Sequence, residues 1–500
     1  MNKVLVNSLL NSSTKIVAIV VAFVASPIIV HSLGDERYGL WSLVMSITGY
    51  YSMLELGVTT AVVKYVSQYA ARQENERAQS VFSSATLFFA SVGLLILMGS
   101  IVVGIFLPSW FEISFATPES IFAIVLIIGV STALSIVLSA IPASLFALQD
   151  IPALSIVNMI ATVAKNALVV VFLLNGRGLV AMAVVTLLTE AVRLLVLRFI
   201  LMVRHSFLRF RSRLVSGQVL LTVLPYSAYS FLITIASKFM IFSSTVVVGR
   251  LIGVSEVTYF SIAVSLLMYV EAVIWSMQQV LIPVVSSQDA TGDTAGNKRL
   301  YLQGTLYSTL LMLPIVVTLL TVGDVFIANW MGPSYASKSG PVLEILCVGF
   351  AFHFSQLTAA AILKGVNRHK TLALVLIGQA AFGLLGCILL APSFGLRGVA
   401  LGMAMPLVVA NAVLVPAFTC RILDIKLADF YRQSLLVPAT LTAIFLLGHH
   451  YLAQRVSDYL GIALYALGTT AYFAIGAWFF ALEKGHRDRI LATLRKKTDA

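Results

Sequence analysis

The feature that most constrains this chain is a succession of apolar stretches, each long enough to cross a lipid bilayer, joined by short polar connections. A helix needs roughly 20 apolar residues to cover about 30 Å of hydrocarbon, and by that measure the chain holds about 14 spans. The first six lie near 9–32, 38–63, 81–107, 120–147, 151–174 and 178–203. The next six lie near 219–248, 256–284, 301–328, 339–363, 371–391 and 396–419, and a final pair near 434–454 and 460–482. Only 11% of the residues are charged, against about 25% in a soluble domain, and the mean hydropathy is +0.97. The chain therefore reads as an all-α integral membrane protein. Backbone groups in lipid must be satisfied within each segment, which selects helices. A barrel would instead alternate in segments of about ten residues.

The net charge of +12 fits cytoplasmic loops better than nucleic-acid binding, because the basic residues cluster between apolar spans. With the N-terminus inside, the inner segments collect roughly 22 Lys and Arg and the outer loops roughly 6. The inner set includes Arg72, Arg77, the run Arg204, Arg209, Arg211, Arg213, the cluster Lys364, Arg368, Lys370, and Arg495-Lys496-Lys497. Both termini are thus expected to be cytoplasmic. The N-terminus does not read as a cleaved signal peptide, since Asn11-Ser12-Ser13-Thr14-Lys15 interrupts its apolar run.

An internal repeat sets the domain plan. Asn175-Gly176-Arg177-Gly178-Leu179-Val180-Ala181 returns as Gly395-Leu396-Arg397-Gly398-Val399-Ala400, and the turn at Gly34 returns at Gly253. Spans 1–6 and 7–12 then form two six-helix bundles, inserted the same way up and related by a pseudo-two-fold along the membrane normal. The expected boundaries are 1–215 for the first lobe, 216–425 for the second, and 426–500 for an extra helix pair with a basic tail.

Charges inside spans carry the most information, because one at mid-bilayer costs about 2.5–3.5 kcal/mol on the gentler scale. They are Lys15, Glu55, Lys165, Glu190, Arg193, Lys238 and Glu271. Shifted by the repeat, Lys238 falls one turn from Lys15, and Glu271 one turn from Glu55, in each case on the same helix face. One reading is a polar, partly cationic cavity between the bundles. There Lys15, Lys165 and Lys238 would attract an anionic group such as a diphosphate, while Glu55 and Glu271 would pair with lysines, bind sugar hydroxyls or carry a coupling proton. The other reading is structural. Lys15 would snorkel to the inner surface, and Glu190 and Arg193, three apart, would neutralise one another with Lys165 joining them.

Soluble-type chemistry is missing from the sequence. There is no G-x-x-x-x-G-K-[ST] loop for ATP and no His/Cys/Asp cluster with metal spacing; His449-His450 reads as a solvated pair. Cys347, Cys387 and Cys420 read as small apolar fillers. No metal or cofactor is expected.

The stretch Leu33 to Gln73 resembles the start of the polysaccharide-biosynthesis flippases, the O-antigen type, of the multidrug/oligosaccharidyl-lipid/polysaccharide exporter superfamily. The matching residues are Leu33, Gly34, Tyr38, Gly39, Leu40, Trp41, Ser42, Gly49, Tyr50, Leu54, Glu55, Leu56 and Gly57. The resemblance implies a non-enzymatic flippase of the bacterial plasma membrane, moving an undecaprenyl-diphosphate-linked oligosaccharide to the outer leaflet by alternating access. H+ and Na+ are the candidate coupling ions, between which the resemblance does not choose, and a glycan polymerase or other assembly machinery is a candidate partner. Spans 1, 2, 7 and 8 line the cavity in that family. A cation-coupled multidrug exporter of the same superfamily is the alternative, and a membrane-embedded glycan polymerase a more distant one.

Overall fold

The computed structural model describes residues 3–55, 57–278, 281–482 and 487; the basic tail at 488–500 lies outside them. The described residues form helices and their connections, with no strand among them. The all-α membrane architecture expected from apolar length is what the chain adopts. Eleven helical segments among the described residues are long and apolar enough to cross a membrane. Their outward surface is greasy: Leu188, Leu389, Phe382 and Leu447 are exposed. Small hydroxyl residues such as Ser83, Ser84, Ser100 and Ser144 are instead fully buried, an arrangement that lets membrane helices approach closely.

The difference between eleven segments and the expected fourteen spans falls at three places. Residues 369–422 form one continuous helical stretch, yet Gly395 has φ 56 and ψ −137 and folds it back on itself. Helix Gly217–Leu251 is present, but the side chains of 219–231 lie outside the described set. The third place is a correction. The sequence predicts one helix from about Tyr38 to Val63, whereas the chain forms two, Asp35–Gly49 and Val58–Ala71. Between them lie the 3-10 turn Tyr50–Glu55 and Gly57, which is left-handed at φ 70 and ψ 9.

Two pairs of glycines at the repeat spacing share a backbone feature. Gly34 and Gly253 both have positive φ, as do Gly176 and Gly395, and each pair is 219 residues apart. These are the turn positions at which an L side chain would be strained.

The contacts divide the chain into two units, Met1–Ser261 with Ala391–Leu396, and Ile262–Leu390 with Arg397–Ala500. In the first, Lys3–Leu33 packs along Ile151–Leu174, and Asn75–Trp110 along Pro118–Val137. Leu179–Arg204 packs against both Ile151–Leu174 and Pro118–Val137. The basic loop after Arg204 is pinned to the start of Asn75–Trp110. Gln79 donates to the Arg209 carbonyl (2.8 Å), Ser80 donates to that of Leu214 (2.7 Å), and the Ser83 hydroxyl accepts from Arg211 N–H (3.0 Å). In the second unit, Thr294–Trp330 packs against Pro333–Ser355 and Tyr459–Gly476. Leu310, Leu313, Val317, Leu441 and Phe473 form a core there.

The Gly34 turn and its copy meet within the first unit. The Thr258 hydroxyl donates to the Asp35 carbonyl (2.6 Å), and the Tyr259 hydroxyl donates to the Asp35 carboxylate. A Cβ on Gly39 would stand 2.0 Å from the Val254 carbonyl oxygen. Backbone cannot swing aside as a side chain can, so Gly39→Ala must force this contact apart, at about 1–3 kcal/mol. The expected result is a lower melting temperature in detergent; an unchanged one would show that the contact is dispensable.

Candidate functional site

Three helices of the first unit place polar side chains on facing sides at membrane depth. On Leu179–Arg204 they are Thr186, Thr189, Glu190 and Arg193, spaced i, i+3, i+4, i+7, which is one face of a helix. Ile151–Leu174 contributes Asn158, Thr162 and Lys165 at i, i+4, i+7, and Pro118–Val137 contributes Ser131, Thr132 and Ser135. Together they line a cavity of about 510 Å³. Lys165 stands near the middle of its 24-residue helix, so the cavity is far from either surface.

Its charges are organised around one carboxylate. Arg193 grips Glu190 with two donors, Nε at 2.8 Å and Nη2 at 2.6 Å, and its Nη1 donates to Asn158 Oδ1 at 3.0 Å. The two-pronged geometry fixes the guanidinium plane. Both side chains are about one-fifth exposed, into the cavity. The Glu190 charge also acts on Lys165. Two cationic side chains thus share one carboxylate within a lining of hydroxyl and amide groups.

The threonines complete the lining. Thr132, Thr162, Thr186 and Thr189 each donate to the carbonyl four residues earlier in their own helix. Their donors are used, so their oxygens are left as acceptors. The cavity therefore offers acceptors for hydroxyl groups and an ammonium for an anion.

A second polar cluster forms where helix Asp35–Gly49 ends. Ser52 donates to the Gly49 carbonyl (2.7 Å), and Lys238 Nζ donates to Ser52 Oγ (3.1 Å). The Tyr50 hydroxyl lies 2.7 Å from Ser243 Oγ, and its ring sits edge-on to Phe239 and Phe242. Thr59 donates to the Glu55 carboxylate across the break. The pull of helix Gly217–Leu251 on Tyr50 and the left-handed Gly57 account for the interrupted helix. At membrane depth such backbone is tolerated only inside protein or beside water.

The structure brings Lys238 to the turn that carries Glu55, and Lys165 to Glu190 and Arg193. Lys15 is joined to neither. It is half-buried beside Thr14, whose hydroxyl reaches the Ser155 carbonyl (3.4 Å) near the start of Ile151–Leu174. Glu271 belongs to the second unit, where its Oε1 is 3.9 Å from His353 Nε2. His353 Nδ1 is buried with no hydrogen-bond partner among the described residues. Sequence reasoning missed His353, Asn158 and the threonine faces. The threonines were discoverable from their helical spacing around the three charges; His353, 82 residues from Glu271, carried no such signal.

Residues 3–288 match the family of polysaccharide biosynthesis proteins. The chain belongs to that family. Over its full length it is 22% identical to EpsK of Bacillus subtilis (strain 168), an uncharacterized membrane protein, covering 99% of that chain. It is 18% identical to a putative O-antigen transporter of Shigella flexneri, over 80% of this chain and 94% of that one. Its fold is similar to an inward-facing multidrug transporter of the MATE family in the MOP superfamily, with TM-score 0.71, 16% identity, and 85% and 99% coverage. It is also similar to the lipid II flippase MurJ in an inward closed conformation, with TM-score 0.68, 13% identity, and 97% and 100% coverage. The protein is thus a multi-pass membrane member of the polysaccharide biosynthesis family, with a fold shared across that superfamily.

Proposed function

We propose that this protein is a flippase that carries a polyprenyl-diphosphate-linked oligosaccharide from the inner to the outer leaflet of a bacterial plasma membrane, both termini being cytoplasmic. The observation that carries the reading is the polar cavity around Lys165, Glu190 and Arg193, net positive and rich in acceptors, inside the spans of a polysaccharide biosynthesis protein. A bare sugar cannot cross hydrocarbon, because each unpaired hydroxyl costs several kcal/mol. Threonine oxygens and lysines supply those partners, while the polyprenyl tail stays in lipid. The relationship to a putative O-antigen transporter and the fold shared with a lipid II flippase support the same substrate class. The positive balance disfavours the organic cations that a multidrug exporter would carry.

In this reading residues 1–215 and 216–425 are the two moving lobes, and Lys15, Glu55, Lys165, Lys238 and Glu271 face the transported headgroup at some stage of the cycle. Of the two coupling ions, H+ suits Glu271, a carboxylate whose Oε1 lies 3.9 Å from the imidazole Nε2 of His353. The test is deletion of the gene followed by analysis of lipid extracts. The expected result is loss of a surface polysaccharide and accumulation of one polyprenyl-diphosphate oligosaccharide on the cytoplasmic side. Unaltered surface glycan with no accumulating intermediate would overturn the proposal.

A further inference from the structure

Two cavities of the second unit lie away from the groups discussed above and resemble one another. One, of about 520 Å³, lies where the start of helix Thr294–Trp330 meets the segments Tyr431–Leu435 and Ala477–Ala481. Arg299 and Arg432 are its cations, and Leu306, Val437 and Phe480 form its apolar wall. The other, of about 570 Å³, lies between the start of helix His369–Val409 and helix Val415–Ile422. It repeats the composition, with Arg368 and Arg421 beside Leu374 and Phe418.

Three observations bear on what these cavities hold. First, successive crossings put all four arginines at the same membrane boundary: Thr294–Trp330, His369–Val409 and Leu427–Gly448 begin there, and Val415–Ile422 and Tyr459–Ala481 end there. Second, the arginines are exposed and nearly unengaged. Arg432 lies 3.5 Å from Asp429 in an exposed i,i+3 pair, a type with little net attraction. The side chains of Arg299, Arg368 and Arg421 make no ion pair or hydrogen bond among the described residues. Third, each cation pair adjoins exposed apolar side chains, Phe480 at 72% and Leu374 at 62%.

Two guanidinium groups in reach of one anion match the fork geometry of a phosphate. A free phosphate would have no use for the aromatic and aliphatic wall, and a zwitterionic headgroup would bring its own ammonium against the arginines. Basic pockets between spans at the membrane boundary are where anionic headgroups settle. We propose that each cavity seats one anionic phospholipid of the surrounding bilayer, its phosphate between the two arginines and one acyl chain along the apolar wall. The proposal stands whether or not the protein transports a glycan.

The experiment is native mass spectrometry of the detergent-purified full chain, with phosphatidylglycerol, phosphatidylcholine or inorganic phosphate added. The parent protein should retain two phosphatidylglycerol molecules and release phosphatidylcholine readily. Arg299→Gln with Arg432→Gln should leave one, Arg368→Gln with Arg421→Gln should leave the other, and the fourfold variant should hold phosphatidylglycerol roughly 30-fold more weakly. Equal retention of the two lipids by the parent protein would overturn the proposal without need of any variant. So would displacement of the lipid by inorganic phosphate, or undiminished retention by the fourfold variant.

Discussion

Replacing Glu190 by alanine destabilises the folded protein by about 1–3 kcal/mol, the cost of leaving a half-buried partner charge unpaired. Arg193 would lose both of its carboxylate contacts and Lys165 the anion that acts on it. Two cationic side chains would then share the cavity with no carboxylate in its lining. Asn158, at 3.0 Å, is the polar contact Arg193 would keep. The measurement is thermal melting in detergent, with Glu190→Ala well below the parent protein. The paired change Glu190→Gln with Arg193→Gln removes both members together and should melt much closer to the parent. Equal melting of all three proteins would show that the pair is solvated and contributes nothing to the fold.

Under the proposed function, Lys238→Ala and Glu271→Ala should each lower glycan export roughly tenfold or more while the protein continues to reach the membrane at its usual level. Charge-assisted hydrogen bonds are worth about 1.5–3 kcal/mol each, so losing one to a transported headgroup lowers the rate roughly tenfold or more. Lys238 is exposed and among the described residues makes one hydrogen bond, to Ser52; Glu271 is 30% exposed and lies 3.9 Å from His353. Neither anchors packing, so stability should change little. Surface polysaccharide, quantified beside membrane-protein level, separates lost transport from lost protein. Normal glycan in either variant removes that residue from the transport pathway.

Much of the fold was legible because apolar length is a one-dimensional property: a stretch of Val, Leu and Ile such as 151–174 announces its helix without knowledge of neighbours. The break at Tyr50–Gly57 was not legible. No proline marks it, and its cause is a partner on helix Gly217–Leu251, Ser243 with Phe239 and Phe242, nearly 200 residues away. The site divides the same way. Glu190 and Arg193 could be paired from their spacing, because i and i+3 are neighbours on any helix. That Lys165 joins them is one of two readings open in the sequence, the other placing it in a cavity between the bundles, because the choice depends on how three helices pack. The threonines could be found by their spacing around these charges, but their role as acceptors emerges once each donor is seen committed to its own backbone.

The interruption between Gly49 and Val58 has a mechanical consequence. A continuous helix transmits a push along its length, whereas a 3-10 turn with a left-handed glycine transmits little bending force. The halves before and after it are therefore coupled through their neighbours rather than through one hydrogen-bond ladder, and Glu55 rides on the joint. A modest swing of either half would then reset the height and company of that carboxylate without unfolding any helix.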